Sequence, residues 1–216
     1  MYKLYYSPGA CSLATHVLLL ELGQQVELIN KNAVSDFAAL NPLGAVPVLV
    51  DGDKVLREGA ALVLYLLGKH TNSLLAAEGV AREQAIENLM LANASVHPAY
   101  SKLFFLSAHI SDAASLATGL QAAAQSINQL WRVIDGRLGQ QPYLGGAQPS
   151  PADLLLTVYA SWGEYFPVAI TLGSNVERMI ASVRAWPTFV QAVAAEQAQV
   201  SFQQALAAEL AEAAAL

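Results

Sequence analysis

The feature that most restricts the possible folds is a change of periodicity near residues 72–79. Before it, short strand-like runs alternate with helix-like runs, each closed by Gly, Pro or Asp-Gly. After it, from Val80 onward, no convincing strand pattern remains and apolar residues recur every three or four positions. In the first part, YKLYY at 2–6 is short and aromatic-rich, as strands are. Ser7-Pro8-Gly9 breaks that run. The apolar stretch 12–22 then stops at Gly23, a natural helix end. VELI at 26–29 predicts a second strand, and residues 35–40 a short helix closed by Asn41-Pro42. Asp51-Gly52-Asp53 lies between the apolar runs 48–50 and 54–57, a hairpin signal. Residues 58–69 predict a helix. The order is βαβ, a short helical connection, then ββα.

In the second part, Ile86, Leu89, Asn93, Val96, Tyr100 and Leu103 form one helical stripe, and Leu120, Ile127, Trp131, Ile134 and Leu138 another. Residues 154–166 are apolar on nearly all sides and predict a buried helix. Two shorter helices are expected near 175–185 and 188–196, and a last, alanine-rich one carries Phe202, Leu206 and Leu210. The expected domains are 1–71 (α/β) and 80–216 (all-α), joined by a linker at 72–79. Ser150-Pro151-Ala152-Asp153 reads as a capping box, a structural element rather than a catalytic one.

The chain has 216 residues, 55% of them hydrophobic, enough for a sizeable core. Its net charge is −6 and its eleven Lys and Arg are scattered, which argues against a nucleic-acid partner and a membrane-surface role. No apolar run approaches the ~18 residues of a membrane span, and MYKLYY lacks the layout of a signal peptide. One cysteine forms no internal disulfide, so a cytoplasmic protein is expected. His16, His70, His97 and His109 lack ligand-like spacing, so no metal site is expected.

That cysteine, Cys11, stands between strand and first helix. With the βαβ–ββα order, this placement suggests a thioredoxin-like fold. Helix N-termini present unpaired N–H groups with partial positive charge, which lowers the pKa of a thiol there. The alternative is a small buried hydrophobe. No Cys-x-x-Cys is present, so any redox role needs an external thiol, for which glutathione is the natural candidate.

YYSPGACSLATHVLLLELG, NPLGAVPVLVDGDKVLREGAALVLYL and QPSPADLLLTVYASW together resemble the cytosolic glutathione transferases, most closely the bacterial beta class, across nearly the whole chain. The resemblance implies a cis bond at Val46-Pro47, with the Val46 backbone pairing with the cysteinyl part of glutathione like an added strand. A strand-edge proline is the plainer alternative. It implies that Glu58 holds the γ-glutamyl amine. The N–H of Gly59 would hold the γ-glutamyl carboxylate at the helix start. Gly59 stands where the family usually has Ser, so the hydroxyl contact is lost. The 30–41 connection is short for the beta class, and its one basic residue, Lys31, is either a carboxylate contact or a surface lysine. By the same resemblance His97 faces the active site; otherwise it is a hydrogen-bonded core histidine. Trp162 either walls the electrophile pocket or belongs to the core.

The expected activity is glutathione transfer. A bound glutathione thiolate attacks a small apolar electrophile, in detoxification, with Cys11, Ser12 and Tyr6 as candidate donors to the sulfur. Cys11 ranks first, and a mixed disulfide through it would give thiol-transferase or peroxidase activity. Ser12 could instead be a capping hydroxyl and Tyr6 a core aromatic. The resemblance also implies a homodimer. The alternative is a non-catalytic relative serving as an interaction module or ligand carrier.

Overall fold

The computed structural model describes the backbone of residues 1–214 and the side chains of residues 1–201. The chain divides into two units, Met1–Leu62 with Trp186–Leu216, and Val63–Ala185. In the first unit, β1 (Tyr2–Tyr6) runs parallel to β2 (Val26–Asn30) and antiparallel to β3 (Val48–Asp51), which pairs antiparallel with β4 (Lys54–Leu56). The sheet order is β2-β1-β3-β4. In β1, Tyr2, Leu4 and Tyr6 are buried while Lys3 points outward, the period-two signature of a strand. Leu4 lies opposite Leu28 on one side and Leu49 on the other. At the hairpin, Asp51 pairs with Lys54, and Gly52 takes the positive φ of 59° that the tight turn requires. The thioredoxin-like arrangement expected from the sequence is present.

Helix α1 (Ser12–Glu21) buries eight of its ten residues, Ser12 to Leu19. It packs on the sheet and also against the last helix, so no side of its first two turns faces water. Complete burial of Val17, Leu18 and Leu19 contributes about 1.5–3 kcal/mol each. Helix α2 (Phe37–Leu40) is capped by Asp36, whose carboxylate accepts the Ala39 N–H at 3.1 Å. Helix α3 (Gly59–Lys69) starts one residue later than the sequence suggests.

The second unit is helical; among its described residues the sole β feature is an isolated bridge between Tyr143 and Gly146. A continuous helical rod contains α4 (Gly79–Met90), a wider π turn (Leu91–Val96) and α5 (His97–His109). Pro98 has no N–H to give, and the His97 N–H reaches back five residues to the Ala92 carbonyl. Helix α6 (Ala113–Leu138) buries the predicted stripe of Leu120, Ile127, Trp131, Ile134 and Leu138. Helix α7 (Pro151–Ala160) is buried along its entire length. It is shorter than the predicted 154–166 helix, because residues Ser161–Tyr165 tighten into a 3-10 turn. Helix α8 (Ser174–Arg184) follows.

The last helix differs from expectation. Instead of two segments, α9 (Pro187–Ala214) is one uninterrupted helix of the first unit, packed on α1. The Thr188 hydroxyl donates to the Glu21 carboxylate there. The side chains of Phe202, Leu206 and Leu210 lie outside the described residues. Among the described residues, no helix is long and apolar enough to cross a membrane.

Candidate functional site

The connection between β1 and α1 is a tight, self-bonded loop. The Ala10 N–H donates to the Ser7 carbonyl at 3.0 Å, and Gly9 adopts φ 69° to make the reversal. Ser12 is fully buried, and its hydroxyl closes the loop from the other side. It donates to the Ser7 carbonyl and accepts from the Ser7 N–H, both at 3.3 Å. The N-cap of α1 is Cys11 rather than Ser12, and no side chain caps the helix.

The half-buried Cys11 thiol donates to the Val46 carbonyl at 3.2 Å. Its pKa is pushed up to about 11: burial penalises the thiolate more than the N–H groups of Cys11 and Ser12 favour it. The sequence predicts the opposite direction. The helix-terminal N–H groups do act as expected, but desolvation outweighs them. Tyr6 has a side-chain partner of its own. It is fully buried, and its hydroxyl donates to the Gln199 Oε1 of α9 at 3.3 Å. Burial, and next the charge of Glu196, raise its pKa.

Val46-Pro47 is cis, as the family resemblance implies. The loop before it is shaped by Asn41, a buried residue the sequence reading treated only as a helix stop. Its amide nitrogen donates to the Ala45 carbonyl at 2.8 Å, and its oxygen accepts the Leu43 N–H at 3.2 Å. Gly44, at φ 63°, turns the chain between them. Lys31 reaches this loop from the end of β2, donating to the Gly44 carbonyl at 3.1 Å. Glu58 is exposed immediately before α3, and its carbonyl accepts the Leu62 N–H at 2.9 Å. The N–H groups of Gly59 and Ala60 therefore open an eleven-residue helix, the geometry that holds a carboxylate. Cys11 and Val46 are thus brought into direct contact, and Lys31 is tied to the same loop through Gly44.

In the helical unit, His97 and Trp162 meet. The His97 ring lies edge-on to Trp162 at 5.3 Å and to Tyr159 at 5.1 Å. Burial lowers the pKa of His97 and favours the neutral imidazole. Trp162, buried in the 3-10 turn, also contacts Tyr100 and Phe104. Phe104 stacks edge-on to Phe166 at 4.8 Å and is 44% exposed, while Tyr165 is 61% exposed. The cluster therefore has a buried centre and an accessible aromatic rim. Among the described residues, no group of three or more His, Cys, Asp or Glu is arranged to hold a metal ion.

Comparison with known proteins places the chain in a family. Residues 4–73 match the family model described as "Glutathione S-transferase, N-terminal domain". A glutathione S-transferase of Xanthomonas campestris pv. campestris, GST-4.5, is 32% identical over 189 residues, covering 83% of this chain and 93% of that one. The solved sphingomonad glutathione S-transferase complexed with glutathione is 28% identical, with a TM-score of 0.79 over 90% of this chain and 98% of that one. The beta class glutathione S-transferase of Sphingomonas chungbukensis is 25% identical, with a TM-score of 0.78 over 90% and 98%. The chain accordingly belongs to the glutathione S-transferase family of transferases and is similar to its bacterial beta class.

Proposed function

We propose that this chain is a cytosolic, homodimeric glutathione transferase in which Cys11 acts on glutathione as a neutral hydrogen-bond donor. The observation that carries this reading is the 3.2 Å contact from the Cys11 thiol to the Val46 carbonyl, beside the cis Val46-Pro47 bond. Val46 is the backbone edge on which the cysteinyl part of glutathione is expected to lie. A peptide N–H arriving at the Val46 carbonyl competes with Cys11 for it and leaves the thiol proton for the incoming sulfur. That proton, donated to the glutathione thiolate, lowers the pKa of the glutathione thiol. Lys31, Glu58 and the first N–H groups of α3 are the proposed contacts for the charged ends of the tripeptide.

The raised Cys11 pKa counts against a mixed disulfide as the main chemistry. A thiol of pKa about 11 is ionised at pH 7 in roughly one molecule in ten thousand, and the thiolate is the attacking species. The accessible aromatic rim around Trp162, with His97, supports small apolar and aromatic electrophiles as the second substrate.

The test is retention on immobilised glutathione, followed by conjugation to a nitroaryl electrophile. Retention with turnover is the expected result. Cys11→Ala is expected to lower kcat about tenfold, the loss of a hydrogen bond worth ~1.4 kcal/mol, while glutathione binding persists. No retention and no heat stabilisation by glutathione would overturn the enzyme reading in favour of an interaction module or carrier.

A further inference from the structure

Among the described residues, two buried carboxyls occupy helices and are solvated very differently. Asp153 accepts three hydrogen bonds, from the Leu144 N–H, the Ser150 N–H and the Ser150 hydroxyl, at 2.7–2.8 Å. Glu196, on α9, is only 4% exposed, and its Oε2 accepts the Gly9 N–H at 3.0 Å. Its Oε1 has no hydrogen-bond partner among the described residues. A buried anion with one donor is under-solvated, so a proton on Oε1 relieves it. Burial raises the Glu196 pKa to about 7, against the opposing pull of the Gly9 N–H.

The neighbouring titratable groups do not supply a compensating cation. On β1, Tyr6 is neutral, with its ionisation disfavoured first by burial and then by the charge of Glu196. At the N-cap of α1, Cys11 is a neutral thiol, and on α1 itself His16 is buried, with its pKa lowered to about 4. Glu21 is bonded to Thr188, two turns away along α9. Between Pro187 and Ser201, Glu196 is the sole charged residue. Beside the contact lies a cavity of about 470 Å³, lined by Pro8, Gly9, Leu13, Glu196 and Val200 among others.

We propose that Glu196 is a positioning residue for Cys11: its charged carboxylate clamps the Gly9 amide, and losing that charge releases the loop that carries the thiol. A hydrogen bond to an ionised acceptor is roughly twice as strong as one to a neutral acceptor, so protonation weakens the clamp without removing the acceptor atom. Cys11 is two residues from Gly9 and is the sole cysteine of the chain, so its reactivity reports on the loop directly. The extension to glutathione turnover rests on the function proposed above; the clamp itself does not.

The experiment is alkylation of the full-length protein by iodoacetamide from pH 5.5 to 9, with each rate divided by the thiolate fraction. In the wild type the corrected rate is expected to fall several-fold as pH rises through about 7. Glu196→Gln, which is neutral at every pH, is expected to show no step and to stay at the wild-type low-pH value. Glu196→Ala is expected to be equally flat and at least as fast, with circular dichroism confirming the fold of each. A flat wild-type profile, or a step that survives in Glu196→Gln, would overturn the proposal. In kcat/KM for glutathione the step is expected with the opposite sign, a rise through about pH 7 that is absent in Glu196→Gln, because the charged clamp positions Cys11 for the incoming sulfur. A protein that shows the alkylation step yet does not bind glutathione keeps the clamp and loses the transferase reading.

Discussion

Ser12 stands one position after Cys11 and turns its hydroxyl back on both backbone groups of Ser7. Replacing Ser12 with Ala leaves those two groups with fewer partners in a tightly packed loop. The expected cost is about 1–2 kcal/mol of stability, read from urea denaturation, with conjugation retained in the folded variant. Loss of conjugation in a folded, stable Ser12→Ala protein would instead make that hydroxyl the sulfur donor. Tyr6, Cys11 and Ser12 all qualify for the task by residue type, and the sequence ranks Cys11 first only on its place at the helix start. What distinguishes their surroundings is desolvation and partner choice, and neither has a local signature. The Cys11 pKa is the clearest case, because its helix position was read correctly and its burial was not visible. Glu196 could not be found at all, since it meets Gly9 across 187 positions of sequence.

At the scale of elements, the capping box of α7 was legible because its partners are three residues apart. The structure adds a third donor, the Leu144 N–H, which ties the preceding loop to the same carboxylate. Asp153→Ala leaves buried donors at Leu144 and Ser150 without their acceptor. The expected destabilisation is about 2–4 kcal/mol, seen as a lower denaturation midpoint, and Asp153→Asn should not restore it, because an amide nitrogen replaces one accepting oxygen. The π turn before His97 was only half legible. Pro98 announces an irregularity, but the i→i−5 bond that absorbs it forms upstream, among residues with ordinary helical preferences. The continuity of α9 was missed for a related reason: its alanine-rich middle keeps helix propensity but blurs the apolar stripe that marks segment ends.

For the whole molecule, two buried groups of the first unit make pH dependence testable. His16 is lowered from 6.5 to about 4, so the unfolded chain binds the extra proton between those values, and stability falls as pH falls through that interval. Glu196 is raised from 4.5 to about 7, so the folded chain holds the proton longer, and stability falls as pH rises from 4.5 through 7. Each slope is about 1.4 kcal/mol per pH unit, and the two have opposite sign. Between pH 4.5 and 6.5 they offset one another. Thermal melts across this interval should therefore tilt in the variants relative to wild type. Glu196→Gln becomes more stable with rising pH and His16→Phe becomes less stable; parallel curves would show that neither group is held as described.

The pairing of α9 with α1 also dictates an order of events during synthesis. The first 62 residues leave the ribosome long before the helix that completes their unit, with Val63–Ala185 emerging in between. Until Trp186 and the residues after it appear, the face of α1 that meets α9 is uncovered, and the Gly9 amide lacks its carboxylate acceptor. The nascent thiol loop thus gains its carboxylate contact only once Glu196 has emerged, so premature termination before that residue would leave the segment that holds Cys11 without it.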